Sequence, residues 1–134
     1  MTTYYNYLGQ AMPVSGPPST YVLDNGGANG SAQSHVTLTA GDGNVTVDTN
    51  GGVYETLIGG NGDDTFYVAN ITDVVQVASG LTGVKSVVVW DGGYTLPDNV
   101  QNLTFYGAGN WGAGNSLANL IVMGGNDHAT LDGG

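Results

Sequence analysis

Glycine comes in pairs along this chain, at Gly26-Gly27, Gly51-Gly52, Gly59-Gly60, Gly92-Gly93, Gly124-Gly125 and Gly133-Gly134, with short runs of β-formers between. Helices need about ten or more uninterrupted residues with apolar spacing near 3.6, and nearly every such window here is broken by glycine. Twenty-four of 134 residues are glycine, against roughly 7% in ordinary domains. Sixteen valines and fourteen threonines fill the intervals and suit the pleated, half-buried surface of a strand. The chain therefore reads as all-β with many tight turns. Strands are expected at 21–23, 35–39, 44–48, 53–58, 65–68, 74–77, 84–90, 103–106, 117–123 and 129–131. Residues 1–19 carry Pro13, Pro17 and Pro18, which deny ladder donors, so they read as a leader, either a capping arm or a linker. Residues 20–134 form the domain proper, expected to be truncated at its C-terminal end.

The pairs mark a period. Gly59-Gly60-Asn61-Gly62-Asp63-Asp64-Thr65-Phe66-Tyr67 matches the nonapeptide G-G-x-G-x-D-x-U-x at every specified position. One nonapeptide earlier, Asn50 to Ile58 keeps one pattern glycine, Gly51, with an acid (Glu55) at the aspartate position and Leu57 at the apolar one. Ala40 to Val47 keeps Gly41, Gly43 and Val47 without the aspartate, and Gly124 to Leu131 keeps the double glycine and Leu131. Between these units stand Asp73-Val74-Val75, Tyr94-Thr95-Leu96-Pro97-Asp98-Asn99-Val100-Gln101-Asn102-Leu103-Thr104-Phe105 and Gly112-Ala113-Gly114-Asn115-Ser116-Leu117-Ala118-Asn119-Leu120-Ile121.

In that order and spacing, Asn50 to Gly134 resembles the RTX, or hemolysin-type calcium-binding, repeat regions of secreted bacterial proteins. The resemblance implies a right-handed parallel β-roll or β-helix, a solenoid with two nonapeptides per coil; an open solenoid end exposes bare backbone donors, so the leader is read in preference as its N-terminal capping arm. It also implies Ca²⁺ held at the glycine-rich bends by hard oxygen ligands. Gly60, Gly62 and Asp64 are the expected ligands, with Asp63 and Asp42 as helpers. The chain departs from the family pattern where Val77 and Lys85 stand for a glutamate and an aspartate, and where Gln101 stands for a glutamate. The loop two repeats before Asp64, Gly41-Asp42-Gly43-Asn44, lacks the liganding aspartate, and Val77 to Lys85 offers no glycine-rich loop. One or two ions are expected, not a full ladder.

Ten aspartates and Glu55 face one cationic side chain, Lys85, for a formal net charge of −10. Phosphate backbones and anionic lipid need clustered Lys and Arg, so neither nucleic acid nor membrane insertion is expected. Cysteine is absent, which excludes disulfides and thiolate metal sites. His35 and His128 lie far apart and outside any metal-binding spacing. Gly107 to Gly112 fits G-x-G-x-x-G, but with neither helix nor basic residue after it. No signal-peptide pattern follows Met1.

The expectation is a non-enzymatic, calcium-binding structural solenoid. It is extracellular or at the cell surface, and folds where calcium is plentiful. The alternatives are a carbohydrate-binding or adhesive module of a surface or matrix protein, and a non-catalytic appendage of a secreted polysaccharide-active enzyme. For the carbohydrate reading the candidate stacking residues are Trp90, Tyr94 and Trp111. Partners would be calcium, an extracellular polysaccharide, or a second copy meeting the open solenoid end.

Overall fold

The computed structural model describes the backbone at 4–5, 11–12, 20–24, 35, 37–49, 51–90, 92–107, 111–124 and 130–132, and side chains within these ranges from 35 to 124. Among the described residues there is no helix, hence none long and apolar enough to cross a membrane. The strands are β1 (Tyr4–Tyr5), β2 (Ala11–Met12), β3 (Thr20–Asp24), β4 (Thr37–Thr39), β5 (Asn44–Asp48), β6 (Thr56–Ile58) and β7 (Asp64–Val68). They continue with β8 (Val74–Gln76), β9 (Lys85–Val89), β10 (Tyr94–Thr95), β11 (Asn102–Phe105), β12 (Trp111–Ala113), β13 (Leu120–Met123) and β14 (Thr130–Asp132).

Alternate strands belong to different sheets, and this makes the chain a solenoid of about five coils. One sheet runs β3-β5-β7-β9-β11-β13, entirely parallel. Two three-stranded parallel sheets, β4-β6-β8 and β10-β12-β14, take the intervening strands. Register stacks like on like: Val47 opposes Phe66, Phe66 opposes Val87, and Val87 opposes Leu103.

Alternation along each strand decides what goes inside. Val45 and Val47 of β5, Phe66 and Val68 of β7, Val87 and Val89 of β9, and Leu103 and Phe105 of β11 are all buried. They form one core with Leu38, Leu57, Val75, Tyr94 and Leu96. Fully burying side chains of this size contributes roughly 1.5–3 kcal/mol each.

The repeat frame placed most of these strands, with ends shifted by a residue or a few. Four short strands escaped it. β10 and β12 are two or three residues long, and β12 contains Gly112, so neither carries a β-forming run. Tyr4–Tyr5 pairs antiparallel with Ala11–Met12 inside the segment read as a leader. Its capping role, the terminal repeat at 125–129 and His128 lie outside the described residues.

Candidate functional site

The bend before β7 is built by three coils stacked through their glycines. Gly43, Gly62 and Gly83 all have positive φ, at 108°, 104° and 86°, a region open to glycine without steric cost. They also lie on top of one another. A Cβ on Gly62 would stand 2.4 Å from Gly43 O, and one on Gly83 would stand 2.1 Å from Gly62 O. Thr82-Gly83 thus continues the column where no glycine-rich loop was expected, because a single glycine with the right φ suffices.

The polar side chains of the bend join one coil to the next. Asn61 Nδ2 donates to Asp42 Oδ1 (2.9 Å), and Asp63 N donates to Asn44 Oδ1 (2.9 Å). Val84 N donates to Asp63 Oδ1 (2.8 Å), and Thr82 N to Asn61 Oδ1 (3.2 Å). Asp42 and Asp63, expected as metal helpers, therefore accept hydrogen bonds from adjacent coils. Gly60 sits so close to the previous coil that a Cβ would lie 2.1 Å from Gly41 O.

Inside the bend, Asp64 takes the first inward position of β7, and its side chain is buried. Oδ1 accepts from Val45 N (3.2 Å), one coil back, and Oδ2 from Gly60 N (3.1 Å). In the next coil Lys85 takes the equivalent position and is buried too. Its Nζ lies 3.5 Å from Asp64 Oδ2 and donates to Thr82 O (2.7 Å) and to Gly62 O. Burial pushes the Asp64 carboxyl above the ordinary 3.8, against the opposing pull of Lys85 and the two amides. Gly62 O and Asp64, named from the sequence as calcium ligands, thus hold an ammonium. Beyond Lys85 the column runs on in amides. Lys85 N donates to Gln101 Oε1 (2.7 Å), and Asn119 Nδ2 donates to Gln101 O (3.2 Å).

The bend before β8 repeats the design without a lysine. Asp73 Oδ1 accepts from Glu55 N (3.1 Å) and Oδ2 from Asn70 N (3.3 Å). Burial raises its carboxyl above 3.8, countered by these amides and the Thr49 hydroxyl. Among the described residues no three His, Asp, Glu or Cys side chains gather as a metal-binding group.

Of the three aromatic residues named for sugar contact, Trp90 and Trp111 are about half exposed. Tyr94 is buried in the core, and burial, with the Asp73 charge nearby, pushes its phenol up to about 12. Tyr106 is half exposed as well and stacks on Trp90 with centroids 5.0 Å apart. The register brings them together: β9 pairs β11 with Val89 opposite Phe105, so the residues that follow them are neighbours. Trp111 lies over Gly93, where a Cβ would come within 1.9 Å of the indole. A pocket of about 230 Å³ lined by Ala69, Asn70, Ile71 and Gly92 opens in the neighbouring bends.

No protein-family model and no solved structure matches the chain. Two curated proteins of Rhizobium meliloti (strain 1021) do. Endo-1,3-1,4-beta-glycanase ExsH is 34% identical over 122 residues, 91% of this chain and 24% of the relative. Endo-1,3-1,4-beta-glycanase EglC is 36% identical over 86 residues, 64% of this chain and 18% of the relative. The chain thus spans a quarter or less of the length of these relatives. Both are named as enzymes, and this overturns the expectation of a non-enzymatic protein. Nothing in the repeat pattern could have signalled it, since solenoid bends and β-formers specify coils, not chemistry.

Proposed function

We propose that this chain is the solenoid of a polysaccharide-cleaving protein of the endo-1,3-1,4-β-glycanase kind, acting outside the cell on β-linked glycans. The observation that carries this reading is the similarity to two proteins of that name, extending over 91% of the chain in one of them. The architecture agrees with it. Parallel coils with short bends make a stiff rod, and a chain of net charge −10 stays apart from other polyanions while neutral glycans approach freely. The half-exposed Trp90, Tyr106 and Trp111 favour direct glycan contact by the solenoid itself, because aromatic rings offer an apolar face beside polar edges.

The test is incubation of the protein with mixed-linkage 1,3-1,4-β-glucan, following viscosity and new reducing ends, alongside electrophoresis through a gel containing that glucan. Falling viscosity with new reducing ends is expected, together with retarded migration. An intact polymer and unretarded migration would sink the reading.

A further inference from the structure

We infer that the Lys85 ammonium stands in for a divalent cation at the bend from Gly60 to Asp64, so that this part of the solenoid closes with no bound calcium. The chain has one Lys or Arg against eleven acids, and that one side chain is only 2% exposed. Burying a lone ammonium is costly unless a charge and further hydrogen bonds compensate it. Here the compensation is the oxygen set that a metal would use: the carbonyls of Gly62 and Thr82 and the Asp64 carboxylate. These oxygens belong to two successive coils, so the ammonium ties the coils together as an ion lodged between them would.

Several oxygens around the bend accept hydrogen bonds between coils. Asn61 O accepts from Gly43 N (2.9 Å), Thr82 O from Gly62 N (3.0 Å), and Val84 O from Asp64 N (3.0 Å). Asp42 and Asp63 accept from Asn61 and Val84. Calcium takes six to eight oxygens. To gather them here it would have to expel Lys85 and break the bonds that stack the coils, or sit beside an ammonium that repels it. The donor set therefore does not fit calcium while Lys85 is in place. Lys85 stands in register with the acid of the preceding coil, Asp64, and it brings its own charge.

Two measurements test this. The first uses the unaltered protein: thermal melting in chelator and in millimolar calcium, with amine acetylation of the folded protein read by peptide mass. Melting is expected to be the same in both, and Lys85 to stay unmodified until the protein is unfolded, with or without calcium. A lower melting temperature in chelator, or acetylation of folded Lys85 that calcium accelerates, would overturn the inference, because either shows an ion competing for the place. The second uses Lys85→Asn. Its melting temperature is expected to fall by roughly 10 °C or more in chelator, and part of that loss is expected to be recovered with calcium. A variant as stable as the parent in chelator would also overturn it. Should the variant not fold, the measurements on the unaltered protein still decide.

Discussion

Asp64 and Asp73, one nonapeptide apart, hold the two bends of a single coil in the same way. Each carboxylate takes an N–H from the coil before it, Val45 for one and Glu55 for the other, and a second from its own bend, Gly60 or Asn70. The difference is the charge partner, since only Asp64 has Lys85. Replacing Asp64 by Ala strands two amides and a buried ammonium, with an expected loss of about 3–5 kcal/mol. Replacing Asp73 by Ala strands two amides and is expected to lose about 1–3 kcal/mol. Urea unfolding of both variants measures the difference, and equal losses would contradict the part given to Lys85.

Close stacking of the coils gives the glycines unequal weight. Gly62→Ala places a methyl group 2.4 Å from Gly43 O at a φ of 104°, a clash with backbone that cannot move aside. The expected cost is about 3 kcal/mol or more. Gly51 has φ 83° with nothing within 4 Å, so Gly51→Ala carries only the conformational cost, about 1 kcal/mol. Melting temperatures in that order support the stacked column, and similar losses would mean that the bends have room to spread.

The nonapeptide made the coils legible because two chemical signals coincide in it: glycine where the backbone must turn left-handed, and a large apolar residue two positions after the acid. Leu57 and Phe66 fall on the inward columns for that reason. Glu55, Asp64 and Asp73, all buried, keep the acid position through three repeats. Thr82-Gly83 was illegible, since two isolated glycines in Ser79-Gly80-Leu81-Thr82-Gly83 give no motif. Lys85 could be seen as a departure from the repeat pattern the chain resembles, but its contact with Gly62 O joins residues a whole coil apart, and that depends on the exact register. Tyr94 looked like a surface aromatic because nothing local distinguishes an inward from an outward tyrosine in a two-residue strand.

Buried Asp73 gives stability an unusual pH dependence. Its folded-state carboxyl titrates above 3.8, close to the value expected unfolded, so the folded chain binds the proton more tightly. Stability therefore rises as pH falls through the raised folded value towards the unfolded one, and is lost again as pH rises. Asp64 shifts in the same direction, and relief of the net charge of −10 adds to it. The protein is expected to unfold at higher urea near pH 4.5 than near pH 8, with a slope reduced in Asp73→Asn. A midpoint that rises steadily with pH would show that these carboxylates are better solvated than their positions imply.

Gly93 and Trp111 supply a separable test of the aromatic surface. Gly93 has no positive φ, and the three atoms nearest its missing Cβ all belong to the Trp111 indole, at 1.9–2.5 Å. The backbone can thus accept alanine, and the ring is the nearest obstacle. Gly93→Ala is expected to cost about 1–3 kcal/mol, and that cost is expected to vanish when Trp111 is also replaced by Ala, a coupling that a double-mutant cycle reads directly. Trp111 is half exposed, so its own loss costs little packing. If glycans stack on that ring, both single variants migrate faster through glucan gels than the parent, Gly93→Ala because the indole is tilted and Trp111→Ala because it is gone. Unchanged migration in both, with the stability coupling intact, would assign the ring to covering Gly93 alone and leave the stacked Trp90 and Tyr106 as the surface to probe.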